Sequence, residues 1–348
     1  MIGRIIILDE IAGRAAAAMI VDGVLEDFVI DPDGDMALPG AIYRAVADRP
    51  VKGQGGLFVK LPEGSGFLRQ TAGIAPGQRL LVQVSGPAED GKAVPVTLRL
   101  LFKSRFSIVT PDAPGINVSR RIKDDDLRQE LTDLAVERMA GAPETLGLIV
   151  RSAAANADGE DVADDITSMR DLAIAVLADV DGGPELLIEG AGAHETAWRE
   201  WSEPEPDETF EGGFADHSVP ELLADLLQPR VDLVGGGHMM VEVTRALIAV
   251  DVNTGPDTTP AAGLKANIAA ARALPRQLRL RGLGGQIVVD FAPMPKRDRA
   301  VLDQVLRAAF KSESEANLAG WTTIGLYELT RKRDRIPLRS LLPQGFGQ

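Results

Sequence analysis

Residues 246–255, ALIAVDVNTG, and 277–294, QLRLRGLGGQIVVDFAPM, hold two apolar strand-like runs, each closing on a lone carboxylate, Asp251 and Asp290. Between them, apolar residues at 264, 268, 271, 274 and 278 follow the spacing of one helical face. Strand, helix and strand predict a crossover unit with the two strands side by side. Downstream, Val301, Leu302, Val305, Leu306 and Phe310 mark another helix, and WTTIGLYELTRKR (321–333) reads as a final strand. Both aspartates then project from the carboxyl edge of one sheet, where α/β sites lie. A carboxylate closing an apolar strand is costly unless charge or hydrogen bonds compensate it. Two such acids with few other polar groups suit a hard cation that keeps several waters, Mg²⁺ or Mn²⁺. Asn253, two residues past Asp251 on the same side of the strand, is placed to orient a carboxylate or a phosphate. There is no Ser-His-Asp arrangement and no phosphate-cradling P-loop. Metal-assisted phosphodiester hydrolysis is the chemistry this pattern points to.

The 348 residues suffice for two or three compact units, and 45% apolar content suits a globular chain. No run approaches the ~18–20 apolar residues of a membrane span, and MIGRIIILDEIAG reads as a first strand rather than a signal peptide. The absence of cysteine excludes disulfides, thiolate nucleophiles and cysteine-bound zinc, so the cytoplasm is the expected compartment. The net charge of −14 argues at first against a nucleic-acid partner. Its distribution does not: Asn156 to Asp216 holds 18 acids against 2 arginines, while Lys265 to Lys311 holds 10 basic residues against 3 acids. A basic segment beside paired carboxylates suits a polyanion, although Arg279, Arg281 and Arg297 read equally as a solvated helix face.

Upstream, residues 5–31 read as two or three strands, with Asp22-Gly23 a hairpin turn. From Pro39 to Leu101 five short runs (AIYRAVA, GGLFVKL, GFLRQ, RLLVQVSG, VPVTLRL) suggest a small OB-type barrel. Phe58 and Phe67 lie on successive strands of it, as a base-stacking pair or as two core side chains. Lys92 is a loop cation facing a phosphate or water. Beyond the barrel, acids 124–126 open a helix through about Met139, and two apolar strands deliver Ser119-Arg120-Arg121 and Arg151-Ser152 to turns. These are placed to frame a phosphate, or read as ordinary surface strings. Asp165 to Val180 is helical in pattern, and ELLIEG is a short strand. Residues 190–217 read as an exposed acidic loop anchored by Trp198 and Trp201, and 220–227 as a helix. The three histidines are too far apart for a helical metal pair.

At these residues the chain resembles the ribonuclease E/G family, closer to its ribonuclease G side. The matching strings are AVDVNTG (249–255), RQLRLRGLGGQIVVDF (276–291) and GLYELTRKR (325–333), with VSRRI (118–122), LGLIVRS (146–152) and GGLFVKL…GFL in the barrel, all in family order. The resemblance implies an α/β multidomain fold: an RNase H-like segment (1–36 and 171–227, the latter with the acidic loop) around an inserted OB-fold barrel (37–103) and a 5′-phosphate sensor region (104–170), then a DNase I-like catalytic unit (228–342). It implies a magnesium-dependent endoribonuclease that cuts single-stranded RNA to leave 5′-phosphate ends. Asp251 and Asp290 would hold Mg²⁺ (or Mn²⁺), with Asn253 assisting. Phe58, Phe67 and Lys92 would contact RNA. Arg151 and Ser152, with Arg120 at the edge, would sense a 5′-monophosphate.

Several departures accompany the likeness. The family's zinc-binding cysteine pair and small C-terminal domain have no counterpart, so no structural zinc and no zinc-linked tetramer are expected; a monomer or homodimer is. Phe291-Ala292-Pro293-Met294 stands where the family usually reads Phe-Ile-Asp-Met. Gly86 replaces a frequent lysine of the barrel, Ser152 a threonine of the sensor, and Arg245 stands where an acid is frequent. The rival readings are an RNA-binding protein of this fold with weak or no nuclease activity, and a metal phosphodiesterase for small molecules.

Overall fold

A computed structural model describes residues 3–346 apart from 35, 52, 54, 70, 71, 89, 90, 258, 260 and 314. The chain opens with a meander of β1 (Arg4–Ile11), β2 (Arg14–Val21) and β3 (Val24–Ile30). Asp22 and Gly23, at φ of 49° and 78°, make the two-residue turn that matches the twist of the flanking strands. The five runs expected in the barrel become β4 (Ile42–Val51), β5 (Gly56–Lys60), β6 (Ser65–Leu68), β7 (Arg79–Val84) and β8 (Val94–Thr97). A β4–β7 pairing closes them, and Leu57, Val59, Leu68 and Val82 fill the interior.

Strands β9 (Phe102–Lys103), β10 (Ser107–Thr110), β11 (Gly115–Val118) and β12 (Gly147–Val150) form a second sheet, with α1 (Asp125–Arg138) and α2 (Gly159–Ala178) against it. Helix α1 starts where its acids predict, capped by the Asp124 carboxylate accepting from the Leu127 amide. Helix α2 begins at Gly159 rather than Asp165, because Asp158 supplies an earlier cap to the Glu160 amide.

Residues 190–217 are not the featureless loop that their acidity suggested. After β13 (Glu185–Ile188), which pairs with β4 of the barrel, they form α3 (Ala193–Glu200) and β14 (Glu208–Glu211). Helix α3 is too short to show a period, and β14 exists through its parallel pairing with β1. Trp201 is buried with Ala197, Ile6 and Ala17, while Trp198 is half exposed. Helix α4 (Val219–Leu227) covers the other face of the β14-β1-β2-β3 sheet, so β1 is buried on both sides and reads as the continuous run Ile5-Ile6-Ile7. The barrel and the second sheet thus lie, in chain order, between two segments of one sheet.

The last unit is a six-stranded sheet in the order β15 (Arg230–Asp232), β16 (His238–Val243), β17 (Ile248–Asn253), β18 (Gly285–Asp290), β20 (Tyr327–Arg331), β19 (Ala316–Trp321). The final strand expected at 321–333 is instead a hairpin, β19 and β20 turning at Thr322–Gly325. Helix α5 (Ala262–Leu280) runs on through Pro275, and α6 (Arg299–Ala309) packs beside it. Leu274, Leu278, Leu302 and Leu306 bury one face of the sheet against Val250, Val252, Ile287 and Val289. Each such side chain contributes about 1.5–3 kcal/mol by leaving water. A short α7 (Leu338–Leu341) returns to the first sheet. Among the described residues no helix is long and apolar enough to cross a membrane.

Candidate active site

Because α5 and α6 cover one face of the six-stranded sheet, alternation sends every second residue of β17 and β18 to the other face. Val250, Val252, Ile287 and Val289 go inward; Asp251, Asn253 and Asp290 go outward. Strands β17 and β18 are parallel, and Asp251 is the direct register partner of Asp290. The two aspartates are exposed, and Asn253 Nδ2 donates to Asp251 Oδ2 at 2.7 Å. His238 stands opposite Asn253 on β16, and Met240 opposite Asp251, so the imidazole borders the site without joining the acid pair.

These residues fit a hard divalent cation. Two in-register carboxylates supply charge, and among the described residues no group of three or more metal-ligating side chains forms. A cation held there would take its remaining ligands from water, as Mg²⁺ commonly does. Pro293 is exposed just beyond Asp290 and adds no donor.

Two devices that sequence reading missed hold the site loops. A Cβ at Gly237 would lie 2.6 Å from the Asn253 carbonyl oxygen, and one at Gly255 would collide with the Gly236 carbonyl. The GGG run at 235–237 is therefore packed against the turn that follows Asn253. On the far side, buried Asn267 of α5 donates to the Ala292 carbonyl and accepts from the Ala292 amide, both at 2.9 Å. That reciprocal pair fixes the chain leaving Asp290. A buried asparagine inside a helix was the available signal.

On the barrel, Phe58 and Phe67 are register partners with ring centroids 5.5 Å apart in an edge-to-face arrangement. Phe58 is 37% exposed, so it presents a face to solvent instead of filling the core. The Phe67 ring lies over Gly56, where a Cβ would overlap it. Phe67 also lines a cavity of about 870 Å³ between the barrel and the six-stranded sheet, with Arg69, Lys92, Arg331, Lys332 and Arg333. No acid lines it among the described residues. Gly86 belongs to the same wall: a Cβ there would sit 2.7 Å from the Arg333 carbonyl, so a lysine at this position would collide with that backbone. Gly285 also lines the cavity, at the opposite end of β18 from Asp290. Five residue steps of strand separate them, about 17 Å.

The sensor residues come together through strand register. Val118 pairs with Val150 in parallel, so the strands carrying Ser119-Arg120 and Arg151-Ser152 end side by side, and the Ser119 amide donates to the Val150 carbonyl at 2.9 Å. Ser152 opens a short 3₁₀ turn, and Arg120 is exposed. Arg151 donates to the Ser104 carbonyl at 2.6 Å and to the Glu200 carboxylate of α3 at 2.5 Å.

The basic segment from Lys265 to Lys311 is divided: Lys265, Arg272, Lys296, Arg297, Arg307 and Lys311 are exposed, while Arg276, Arg279 and Arg281 are turned to internal partners. Arg276 and Arg279 of α5 reach Glu26 of β3, and Arg279 also pairs with Glu313. Arg281 is buried against Gln277 and the Gln228 carbonyl, and burial pulls its pKa down to about 10. Asp27 receives a two-pronged bond from Arg335 at 2.5 and 2.9 Å. Burial alone would raise Asp27, but Arg335 and Arg279 outweigh it and hold the carboxyl below its ordinary value. Glu26 and Asp27 lie 250 and 308 residues from Arg276 and Arg335, so a local count reads such arginines as a free basic face. Arg297, by contrast, is 85% exposed.

A closed OB-like barrel joined by a basic cavity to an open sheet, with a register-matched acid pair on that sheet, defines a class of multi-part α/β protein. The sequence signature of the Ribonuclease E/G family matches residues 102–211 and 207–334, and the chain belongs to that family. It is 29% identical over 353 residues to a ribonuclease E of Nostoc sp., covering 84% of this chain and 51% of the relative. It is 26% identical over 393 residues to a ribonuclease G of Salmonella typhimurium, covering 93% and 79%. A ribonuclease E of Synechocystis sp. is 27% identical over 368 residues, covering 89% and 54%. The chain thus spans about half the length of these ribonuclease E relatives, and the identities do not separate the two branches.

Proposed function

We propose that the chain is a magnesium-dependent endoribonuclease of the cytoplasm that cuts single-stranded RNA, favours 5′-monophosphorylated substrates and acts in RNA processing or decay. The observation that carries this reading is the register pairing of Asp251 with Asp290, with Asn253 bonded to the first, in a member of the ribonuclease E/G family. Asp251 and Asp290 hold the cation, which when bound polarises the scissile phosphoryl group and sharpens a water as nucleophile. Asn253 spends one amide hydrogen fixing Asp251 and keeps the other for a phosphate oxygen. Water oxygen bonds to phosphorus, the bond to the 3′ oxygen breaks, and that oxygen takes the proton, leaving a 5′-phosphate end. Phe58 and Phe67 stack bases, Lys92 with Arg69 tracks the backbone, and Arg151, Ser152 and Arg120 meet the 5′ end. A monomer or homodimer suffices for these roles.

Incubating the purified protein with 5′-monophosphorylated single-stranded RNA, with and without Mg²⁺, tests the proposal. Internal cleavage that needs Mg²⁺ supports it. Binding without cleavage at enzyme in excess refutes it and favours the second reading, an RNA-binding protein with weak or no nuclease activity. Pro293 in place of the family's acid is the feature that keeps this second reading in play.

A further inference from the structure

Glu200 is the last residue of α3, where the negative end of the helix dipole makes a carboxylate unfavourable. Its position is nonetheless fixed. Trp201 beside it is buried and bonds Asp27 through Nε1 at 3.3 Å. Trp198 on the preceding turn stacks on the Arg105 guanidinium at 5.2 Å, just ahead of β10. What holds the carboxylate is a set of cations. Arg151 Nη2 meets one oxygen at 2.5 Å, and Arg199 Nε meets the other at 2.9 Å. Lys103 of β9 lines one cavity with Arg199 and lies within electrostatic range of Glu200 and Arg151. Two arginines presenting donors to two oxygens of one anion, with a third cation behind, is the geometry that recognises a terminal phosphate.

We propose that Arg199 and Lys103 complete, with Arg151, an anion pocket for the 5′-terminal phosphate of RNA, and that Glu200 is a tethered competitor occupying it. The inference rests on the 5′-monophosphate preference proposed above and adds two ligands and an occluding group. A monophosphate carries more charge than the carboxylate and three acceptor oxygens, so it displaces Glu200. A 5′-hydroxyl end lacks both and leaves the pocket closed. Glu200 therefore sets how strongly the protein discriminates between the two ends.

The test measures binding, so it reads out whether or not the protein cleaves. Full-length protein carrying Asp290→Asn is titrated with 3′-labelled RNA decamers bearing a 5′-monophosphate or a 5′-hydroxyl. Glu200→Gln, and Glu200→Ala as a second variant, are each expected to tighten monophosphate binding about tenfold while leaving hydroxyl binding within about twofold. Adding Arg199→Met or Lys103→Met to Glu200→Gln is expected to remove that gain. If both ends tighten alike, the effect is general charge removal and the proposal fails. It fails equally if the ratio of the two affinities does not change. Absence of cleavage by the parent protein would overturn the nuclease reading alone and leave this binding comparison intact.

Discussion

Asp251 and Asp290 are direct register partners across a parallel strand pair, so their carboxylates rise from one open face a single strand spacing apart. That spacing is about 4.8 Å between backbones, short enough for both acids to reach one cation.

Replacing either acid tests the pair as a unit. Asp251→Asn and Asp290→Asn are each expected to lower cleavage by at least about 100-fold, with RNA affinity within about threefold of the parent. Asn253→Ala, which frees the Asp251 carboxylate to rotate, is expected to cost about 10–100-fold. Single-turnover rates with RNA in trace amounts separate these losses from binding.

The barrel face makes a different prediction. Phe58 is half out in solvent, so Phe58→Ala is expected to leave the thermal midpoint nearly unchanged while costing about 1–3 kcal/mol of RNA binding. Lys92→Ala is expected to weaken binding alike for all sequences and to lower the slope of log affinity against log salt by about 1. Anisotropy titrations at several salt concentrations measure both.

The loop clamps are testable by their geometry. Gly237→Ala places a methyl against the Asn253 carbonyl and is expected to reduce activity about tenfold or more, with an unfolding midpoint little altered. Asn267→Ala strands the buried amide and carbonyl of Ala292, so it is expected to cost about 1–3 kcal/mol of stability as well as activity. Urea unfolding beside activity on the same samples tells the two apart.

Acid unfolding should report on Asp27. Its carboxyl is held below the ordinary value in the folded state, so the stability it confers is fully present above the unfolded value of about 3.9. That stability is lost as pH falls through the lower folded value. Asp27→Asn leaves Arg335 without its buried counter-charge and is expected to destabilise the protein by about 3–5 kcal/mol near neutral pH. The urea midpoints of parent and variant are expected to begin approaching each other below pH about 4 and to meet only below the folded value.

How far the sequence carried depended on whether the deciding contacts were local. The acid pair was legible because β17 and β18 alternate inward valines with outward polar groups, a pattern complete within six residues. The barrel strands were legible for the same reason, each run bounded by its own Gly or Pro. Strand β14 was hidden because only its pairing with β1, some 200 residues earlier, makes it a strand. Arg279 looked like RNA-facing charge because Glu26 and Glu313, which hold it, are remote in the chain. The Arg151–Glu200 contact was invisible on the same ground: neither residue carries a local mark of the other.

The cavity that begins at Phe67 reaches the catalytic sheet at Gly285, and the acid pair waits at the other end of the same strand. The length of β18 is then a ruler. Under the function proposed above, a nucleotide clasped by the barrel would fix which bond lies over Asp290, because the distance is set by hydrogen-bonded backbone that does not stretch. Cut sites should fall at a constant offset from the base that stacks best, and inserting or deleting single-stranded nucleotides between the two should move the cut by the same number.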